Sequence, residues 1–133
     1  MTDYELYSAF ADTWSVIWLI FATYLTVTFA FLVAGHLVSH SLRSSMVTLI
    51  VGLYSLVALW CTFGINRWVT TAASMTREIK RAVDAGESTL GWTTMATTPE
   101  FVTGAIPLVL LVITGGAYAG SVVFFFHQRR TKR

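Results

Sequence analysis

Three long stretches of this sequence lack Asp, Glu, Lys and Arg altogether. They are Trp14–Gly35, Met46–Ile65 and Ala105–Phe126, with 22, 20 and 22 residues. About 20 apolar residues in a helix cross the ~30 Å hydrocarbon layer of a bilayer, so each stretch is long enough to span a membrane. The sequence therefore predicts an all-α integral membrane bundle of three transmembrane helices, with residues 1–133 forming a single domain.

Other kinds of residue are scarce as well. Charged residues make up 12% of the chain, about half of what a soluble domain carries. The single cysteine, Cys61, excludes an intramolecular disulfide. The first residues carry acid where a signal peptide has a basic region, so we expect the first apolar run to be retained as a span.

Asp, Glu, Lys, Arg and His are missing from the middle of the apolar runs, where pumps and spanning enzymes place such residues. No nucleophile–base pair, phosphate-binding loop or metal-binding motif is present either. We therefore expect no catalytic residues, no cofactor, no resident metal and no nucleic-acid partner. The lipid bilayer is the first partner that the sequence implies.

Charge is distributed unequally along the chain. Acidic Asp3, Glu5 and Asp12 precede the first span, whereas five basic residues follow the first or the third span, namely Arg43, Arg129, Arg130, Lys132 and Arg133. Four more basic residues precede the third span, so the margin is five to four. The positive-inside rule then predicts a multi-pass protein of a bacterial inner membrane, with the N-terminus outside and the C-terminus cytoplasmic.

Tryptophan marks one end of all three spans. Five indoles fall at that end, and we expect them to anchor the protein at one membrane interface: Trp14, Trp18, Trp60, Trp68 and Trp92.

Helical patterning continues beyond the second span. Residues 66–85 contain no Pro or Gly, and Met75, Ile79 and Val83 recur every four residues. This pattern predicts an additional amphipathic helix outside the membrane over about residues 67–85. The helix either continues the second span or follows it separately, and Gly86 stops it. The first span is expected to begin near Asp12, which would cap it.

Each span carries a face of small residues. Close approach across such faces associates helices in lipid, so we predict packing contacts at Ala22, Thr26, Ala30, Ala34, Gly52, Ser55, Gly116 and Gly120. The pattern leaves open whether the partner helix belongs to the same chain or to another one. Because three helices cover each other incompletely, an oligomer or a larger membrane complex is expected.

Histidines are few but clustered. His36 and His40 lie one helical turn apart after the first span, and His127 lies at the end of the third, at the same membrane face. One interpretation is a haem or metal site with ligands from two helices. The alternative is a set of interfacial histidines that are hydrogen-bonded to water and lipid headgroups.

Two segments carry a family resemblance: Tyr24-Leu-Thr-Val-Thr-Phe-Ala-Phe-Leu-Val-Ala in the first span and Phe124-Phe-Phe-His-Gln-Arg-Arg at the end of the third. With the acidic N-terminus and the helical outer segment, they resemble a group of small, uncharacterised three-span proteins of bacterial inner membranes. The resemblance implies a location and no activity.

Three functions fit these features. The first is a non-catalytic inner-membrane subunit or scaffold that acts through helix–helix contacts. The second is a holin-like pore-forming protein, in which hydroxyl groups of the second span line a pore, namely Ser45, Thr48, Ser55 and Thr62. The third is a haem-binding electron-transfer subunit that uses His36 or His40 with His127.

Overall fold

The computed structural model describes residues 2–38, 41–89 and 99–131. Within those ranges the chain forms three helices and no strand: α1 (Asp3–Val38), α2 (Ser44–Asp84) and α3 (Glu100–Thr131). By length and composition, each is able to span a membrane. The predicted all-α bundle of three membrane-spanning helices is confirmed.

α1 begins at Asp3, so the predicted start near Asp12 is wrong. A reciprocal capping box explains the earlier start. The N–H of Thr2 donates to a carboxylate oxygen of Glu5 at 2.8 Å, and the N–H of Glu5 donates to the hydroxyl of Thr2 at 3.3 Å. This exchange satisfies backbone donors that the first helical turn leaves free.

α2 continues without interruption from the second apolar run to Asp84, so a separate amphipathic helix is not supported. Residues 67–84 are the last turns of α2 itself. The helix stops at Gly86, which has a φ of 74°. There the N–H of Glu87 donates to the carbonyl of Ala82 at 2.9 Å, and that of Gly86 to the carbonyl of Val83 at 3.0 Å.

The helices are longer than a membrane requires. With 36 and 41 residues, α1 and α2 extend about 54 and 61 Å, against a hydrocarbon thickness of ~30 Å. Their excess length lies at one end of the bundle. We call residues 3–13 of α1 and 66–84 of α2 the stalk. The opposite end, where α1 ends, α2 begins and α3 ends, we call the basic end.

The stalk is amphipathic and has its own apolar contacts. Ile79 is fully buried against Leu6 and Phe10 of α1 and Val83 of α2. The charged side chains Arg77, Glu78, Arg81 and Asp84 are exposed on the other faces of α2. Two helices that bury apolar side chains between them form a defined antiparallel pair beyond the spans.

From the spans into the stalk, buried residues recur mainly at intervals of three, four and seven, as in the seam of a left-handed coiled coil. They include Ile17, Tyr24, Thr28, Phe31 and Gly35 in α1, and Val47, Tyr54, Ala58, Cys61, Ile65, Val69 and Ala72 in α2. Among the residues of α3 whose burial is described, Thr114, Ser121 and Phe125 are buried. The core of the bundle therefore runs from the spans into the stalk.

Candidate functional site

In the middle of the bundle, three hydrogen bonds of tyrosine hydroxyls join different helices. The Tyr24 hydroxyl donates to the carbonyl oxygen of Thr114 at 2.6 Å and so joins α1 to α3. The hydroxyls of Thr28 and Tyr54 lie 3.2 Å apart and join α1 to α2. The hydroxyls of Ser55 and Tyr118 lie 2.7 Å apart and join α2 to α3. In the middle of the bundle, each pair of helices is therefore linked by one of these contacts, and α1 and α2 are linked again nearer the stalk, where the Thr13 hydroxyl donates to Sδ of Met75 at 3.8 Å.

Aromatic rings continue this central contact toward the basic end. The rings of Phe31 and Tyr54 stack with centroids 4.1 Å apart, and Phe31 also stacks on Phe125 at 5.0 Å. Tyr54 stacks in turn on Tyr118 at 5.6 Å. Because unpaired hydroxyls in an apolar interior cost free energy, the paired tyrosines hold the helices in register.

The predicted small-residue faces lie mostly on the outside of the bundle. Ala22, Thr26 and Ala30 are exposed, and Ala34 is half-buried.

The glycines on these faces are open as well. Gly52, Gly116 and Gly120 are exposed, and a Cβ atom added to any of them would meet nothing within 4 Å. These three glycines therefore do not mediate contacts among α1, α2 and α3. Contact with another chain stays a prediction.

Of the predicted packing residues, Ser55 is half-buried and pairs with Tyr118, as described above. The glycine that α3 does pack against is Gly35, which the small-residue stripes did not include. A Cβ added to Gly35 would lie 2.9 Å from Cδ2 of Phe125. In the sequence, Gly35 follows Thr28 and Phe31 at a spacing of three and four residues. This spacing is the feature that places Gly35 on the buried face of α1.

Two of the three histidines, His36 and His127, are at the basic end, and a role for them stays a prediction. His36 is exposed and lines a groove between α1 and α3, and His127 is exposed in the last turns of α3. His40 lies outside the described residues. Across the described ranges, no three His, Cys, Asp or Glu side chains are grouped so that they could hold a metal ion.

The hydroxyl face proposed as a pore lining is not uniformly exposed. Ser45 and Thr48 are exposed, but Ser55 and Thr62 are half-buried. The Thr62 hydroxyl donates to the carbonyl of Ala58 at 2.8 Å, and Ser55 pairs with Tyr118. Half of this face is therefore turned toward the bundle.

Indoles surround the stalk end of the spans. Trp18 and Trp60 are 63% and 73% exposed, as suits side chains that meet headgroups, and Trp68 is also exposed. Trp14 is half-buried and packs edge-on against Phe10, with centroids 6.1 Å apart. Trp92 lies outside the described residues. Anchoring at an interface remains a prediction for these residues.

Asp3 ties the start of α1 to the segment that follows α2. Its carboxylate accepts hydrogen bonds from the N–H of Thr89 at 2.8 Å, from the Thr89 hydroxyl at 2.7 Å and from the Ser88 hydroxyl at 2.9 Å. These donors favour the ionised form, so they hold the pKa of Asp3 below its ordinary value.

Grooves open between the helices along the described part of the chain, among them the following three. The first, of about 650 Å³, lies between α1 and α3 and includes His36 and Gly120. The second, of about 550 Å³, lies between the same helices near the stalk and includes Trp14, Trp18 and Phe101. The third, which we call the basic groove, has a volume of about 560 Å³ and is lined by Ser44, Val47, Thr48, Val51, Gly52, Phe126, Arg129 and Arg130.

No family model matches the chain, and neither a curated protein nor a solved structure matches it significantly.

Proposed function

We propose that the protein is a non-catalytic membrane subunit or scaffold that acts through helix–helix contacts, either with further copies of itself or with other membrane subunits. The observation that supports this most is the open face at Gly116 and Gly120. Both glycines are exposed in the middle of α3, on an apolar helix whose packing onto α1 and α2 uses other residues, namely Thr114, Ser121 and Phe125.

An open glycine face has a specific physical meaning in lipid. Lipid tails are as apolar as a leucine side chain, so burial of apolar surface does not drive spanning helices together. Association comes instead from close backbone approach, which two glycines one turn apart permit. Gly120 also lines the groove beside α1, so a helix seated there would meet two helices of this chain.

The test is the mass of the assembly in mild detergent, measured for Gly120→Leu and for Gly115→Leu. Gly115 is a matched control because it is exposed, has nothing within 4 Å of an added Cβ, and lies more than a quarter turn from Gly120 on the helix. We expect wild type and Gly115→Leu to assemble alike and Gly120→Leu to dissociate. A strictly monomeric wild type that copurifies with nothing would contradict the proposal.

We place this subunit in a bacterial inner membrane, with the stalk outside and the basic end in the cytoplasm. The distribution of charge supports this orientation. Five basic residues follow the first or the third span, against four between the second and third spans, and the positive-inside rule favours the larger number in the cytoplasm.

A further inference from the structure

The basic groove lies between the first turns of α2 and the last turns of α3. Most of its polar side chains are near the helix ends: Ser44 at the start of α2 and Arg129 and Arg130 near the end of α3, with Thr48 one turn farther along α2. One to two turns farther into the span, the lining becomes apolar, with Val51 of α2 and Phe126 of α3. The groove is therefore polar toward the membrane surface and apolar toward the hydrocarbon.

The charge of the groove has no counterpart within the chain. No Asp or Glu occurs between residues 13 and 77 or after residue 100, so both guanidiniums lie far along the bundle from any carboxylate side chain. In the part of the chain that the structure describes, neither Arg129 nor Arg130 forms an ion pair or a hydrogen bond through its side chain. Arg129 is nevertheless half-buried. Two unneutralised cations beside an apolar groove favour an anionic ligand with an apolar part.

The start of α2 adds to this positive potential. The first helical hydrogen bond runs from the N–H of Val47 to the carbonyl of Arg43, and no side chain caps the helix at Arg43. The N–H groups of the first turn, before Val47, therefore have no acceptor inside the helix. They lie at the positive end of the helix dipole. Such a terminus is suited to phosphate when cationic side chains lie beside it.

Space for an apolar chain comes from Gly52. A Cβ added there would meet nothing within 4 Å, and Val47 and Val51 lie on the same helix beside it. The groove is thus open at the depth at which an acyl chain lies when its phosphate is at the level of Arg129.

We propose that the basic groove binds an anionic phospholipid of the same membrane. The guanidiniums of Arg129 and Arg130 and the start of α2 hold the lipid phosphate, and an acyl chain lies along Val51 and Phe126 over Gly52. This differs from the diffuse attraction of any basic tail to an anionic surface, because it requires the apolar part of the groove as well as its charge.

The experiment uses the full-length protein in nanodiscs of mixed phosphatidylglycerol and phosphatidylcholine, released into native mass spectrometry to count the lipids that remain bound. Two variants change different parts of the groove: Arg129→Gln/Arg130→Gln removes the charge, and Gly52→Leu fills the apolar space. Two controls match them, Arg77→Gln/Arg81→Gln on the exposed face of the stalk and Gly115→Leu on α3. Circular dichroism checks that every variant is folded.

Wild type and both controls are expected to retain phosphatidylglycerol in preference to phosphatidylcholine. Arg129→Gln/Arg130→Gln and Gly52→Leu should each retain it about tenfold less, since each loses one of the two parts of the site.

Three results would overturn the proposal. Equal retention of both lipids by wild type would show that there is no site. Loss in the arginine variant alone, with Gly52→Leu unchanged, would show a diffuse charge effect. A smaller assembly for Gly52→Leu, with unchanged lipid retention, would show that a second copy of the chain fills the groove.

Discussion

At Gly35, the lack of a side chain lets α1 lie against Phe125 of α3. A Cβ placed there would be 2.9 Å from Cδ2 of the ring and 3.6 Å from the Cα of Phe125. The ring edge can shift by a few tenths of an ångström, but the backbone of α3 cannot yield as cheaply. The position therefore tolerates a methyl group better than a larger side chain.

Gly35→Leu should accordingly destabilise the bundle, by about 1–3 kcal/mol, which is typical of overpacking in a core. Gly35→Ala should have a smaller effect, because it requires only a movement of the Phe125 ring. Thermal unfolding in detergent, followed by circular dichroism, measures both. Gly115→Leu, whose Cβ meets nothing within 4 Å, should unfold like wild type. Equal unfolding temperatures for Gly35→Leu and Gly115→Leu would show that α1 does not pack on Phe125.

The contacts of Asp3 predict a pH dependence at the stalk. Because its pKa is lowered in the folded protein, first by the N–H of Thr89 and then by the hydroxyls of Thr89 and Ser88, the ionised carboxylate stabilises the native contact. This stabilisation is complete above the ordinary aspartate pKa of about 3.9 and is lost as the pH falls through the lower pKa of the folded state.

Hydrogen exchange at the amide of Thr89 should therefore become faster relative to neighbouring amides as the pH falls below about 4. Asp3→Ala should show the faster relative exchange already at neutral pH, with no further acid-dependent change. Asp12→Ala is the control, since Asp12 is exposed on the same helix. Protection of Thr89 that is the same in wild type and Asp3→Ala would rule out this contact.

At the scale of helices, the sequence predicts the number of membrane-spanning helices, but not which face of each is inside. A soluble helix shows its buried face as an apolar stripe, whereas a spanning helix is apolar all round because lipid and core are alike in polarity. The sequence of α1 contains two possible packing stripes. The stripe of Tyr24, Thr28, Phe31 and Gly35 is buried in the bundle, whereas the stripe of Ala22, Thr26 and Ala30 is exposed.

Outside the membrane, polarity distinguishes the faces again. The alternation of Ile79 and Val83 with charged residues predicts helix over residues 67–85, and the structure has helix there up to Asp84. The alternation does not show whether this segment continues the second span or forms a separate helix. The sequence between them has no Gly or Pro that would indicate a break. The partner of this segment, residues 3–13 of α1, is helical because the Thr2–Glu5 capping box starts α1 well before the first apolar run.

The stalk makes a prediction of its own. Ile79→Ala should loosen α1 and α2 beyond the spans, at a cost of about 2–5 kcal/mol for a buried isoleucine, while the spans stay packed. Limited proteolysis should then cut the stalk sooner and leave the spans intact. The exposed neighbour Glu78→Ala is the control. A cleavage pattern unchanged by Ile79→Ala would mean that the stalk helices are not held together at this residue.

For the whole molecule, the most consequential feature is the separation of charge between its two ends. The stalk carries both signs, with Arg67, Arg77, Lys80 and Arg81 beside the acids, whereas the basic end carries Arg43, Arg129 and Arg130 with no acid. Acidic residues contribute little to membrane orientation, so the comparison depends on basic residues alone. Five of them follow the first or the third span and four lie on the stalk side, which is a difference of one. Orientation must therefore be measured on the membrane-inserted protein.

Single cysteines placed at the two ends can measure it. Cys61 is 1% exposed in the middle of the bundle and should not react with a membrane-impermeant maleimide, which gives wild type a low background. Glu87→Cys places a thiol at the end of the stalk and Thr131→Cys places one at the basic end, both at exposed positions.

In intact spheroplasts we expect the maleimide to label Glu87→Cys at once and Thr131→Cys only after the membrane is permeabilised, because the five basic residues near the basic end retain it in the cytoplasm. The opposite pattern would reverse the orientation, and the stalk would then face cytoplasmic partners. Labelling of both variants in intact spheroplasts would show two orientations of the same chain, as the narrow basic margin allows. In that case the subunits of an assembly could run antiparallel, and Gly116 and Gly120 would meet across a two-fold axis in the plane of the membrane.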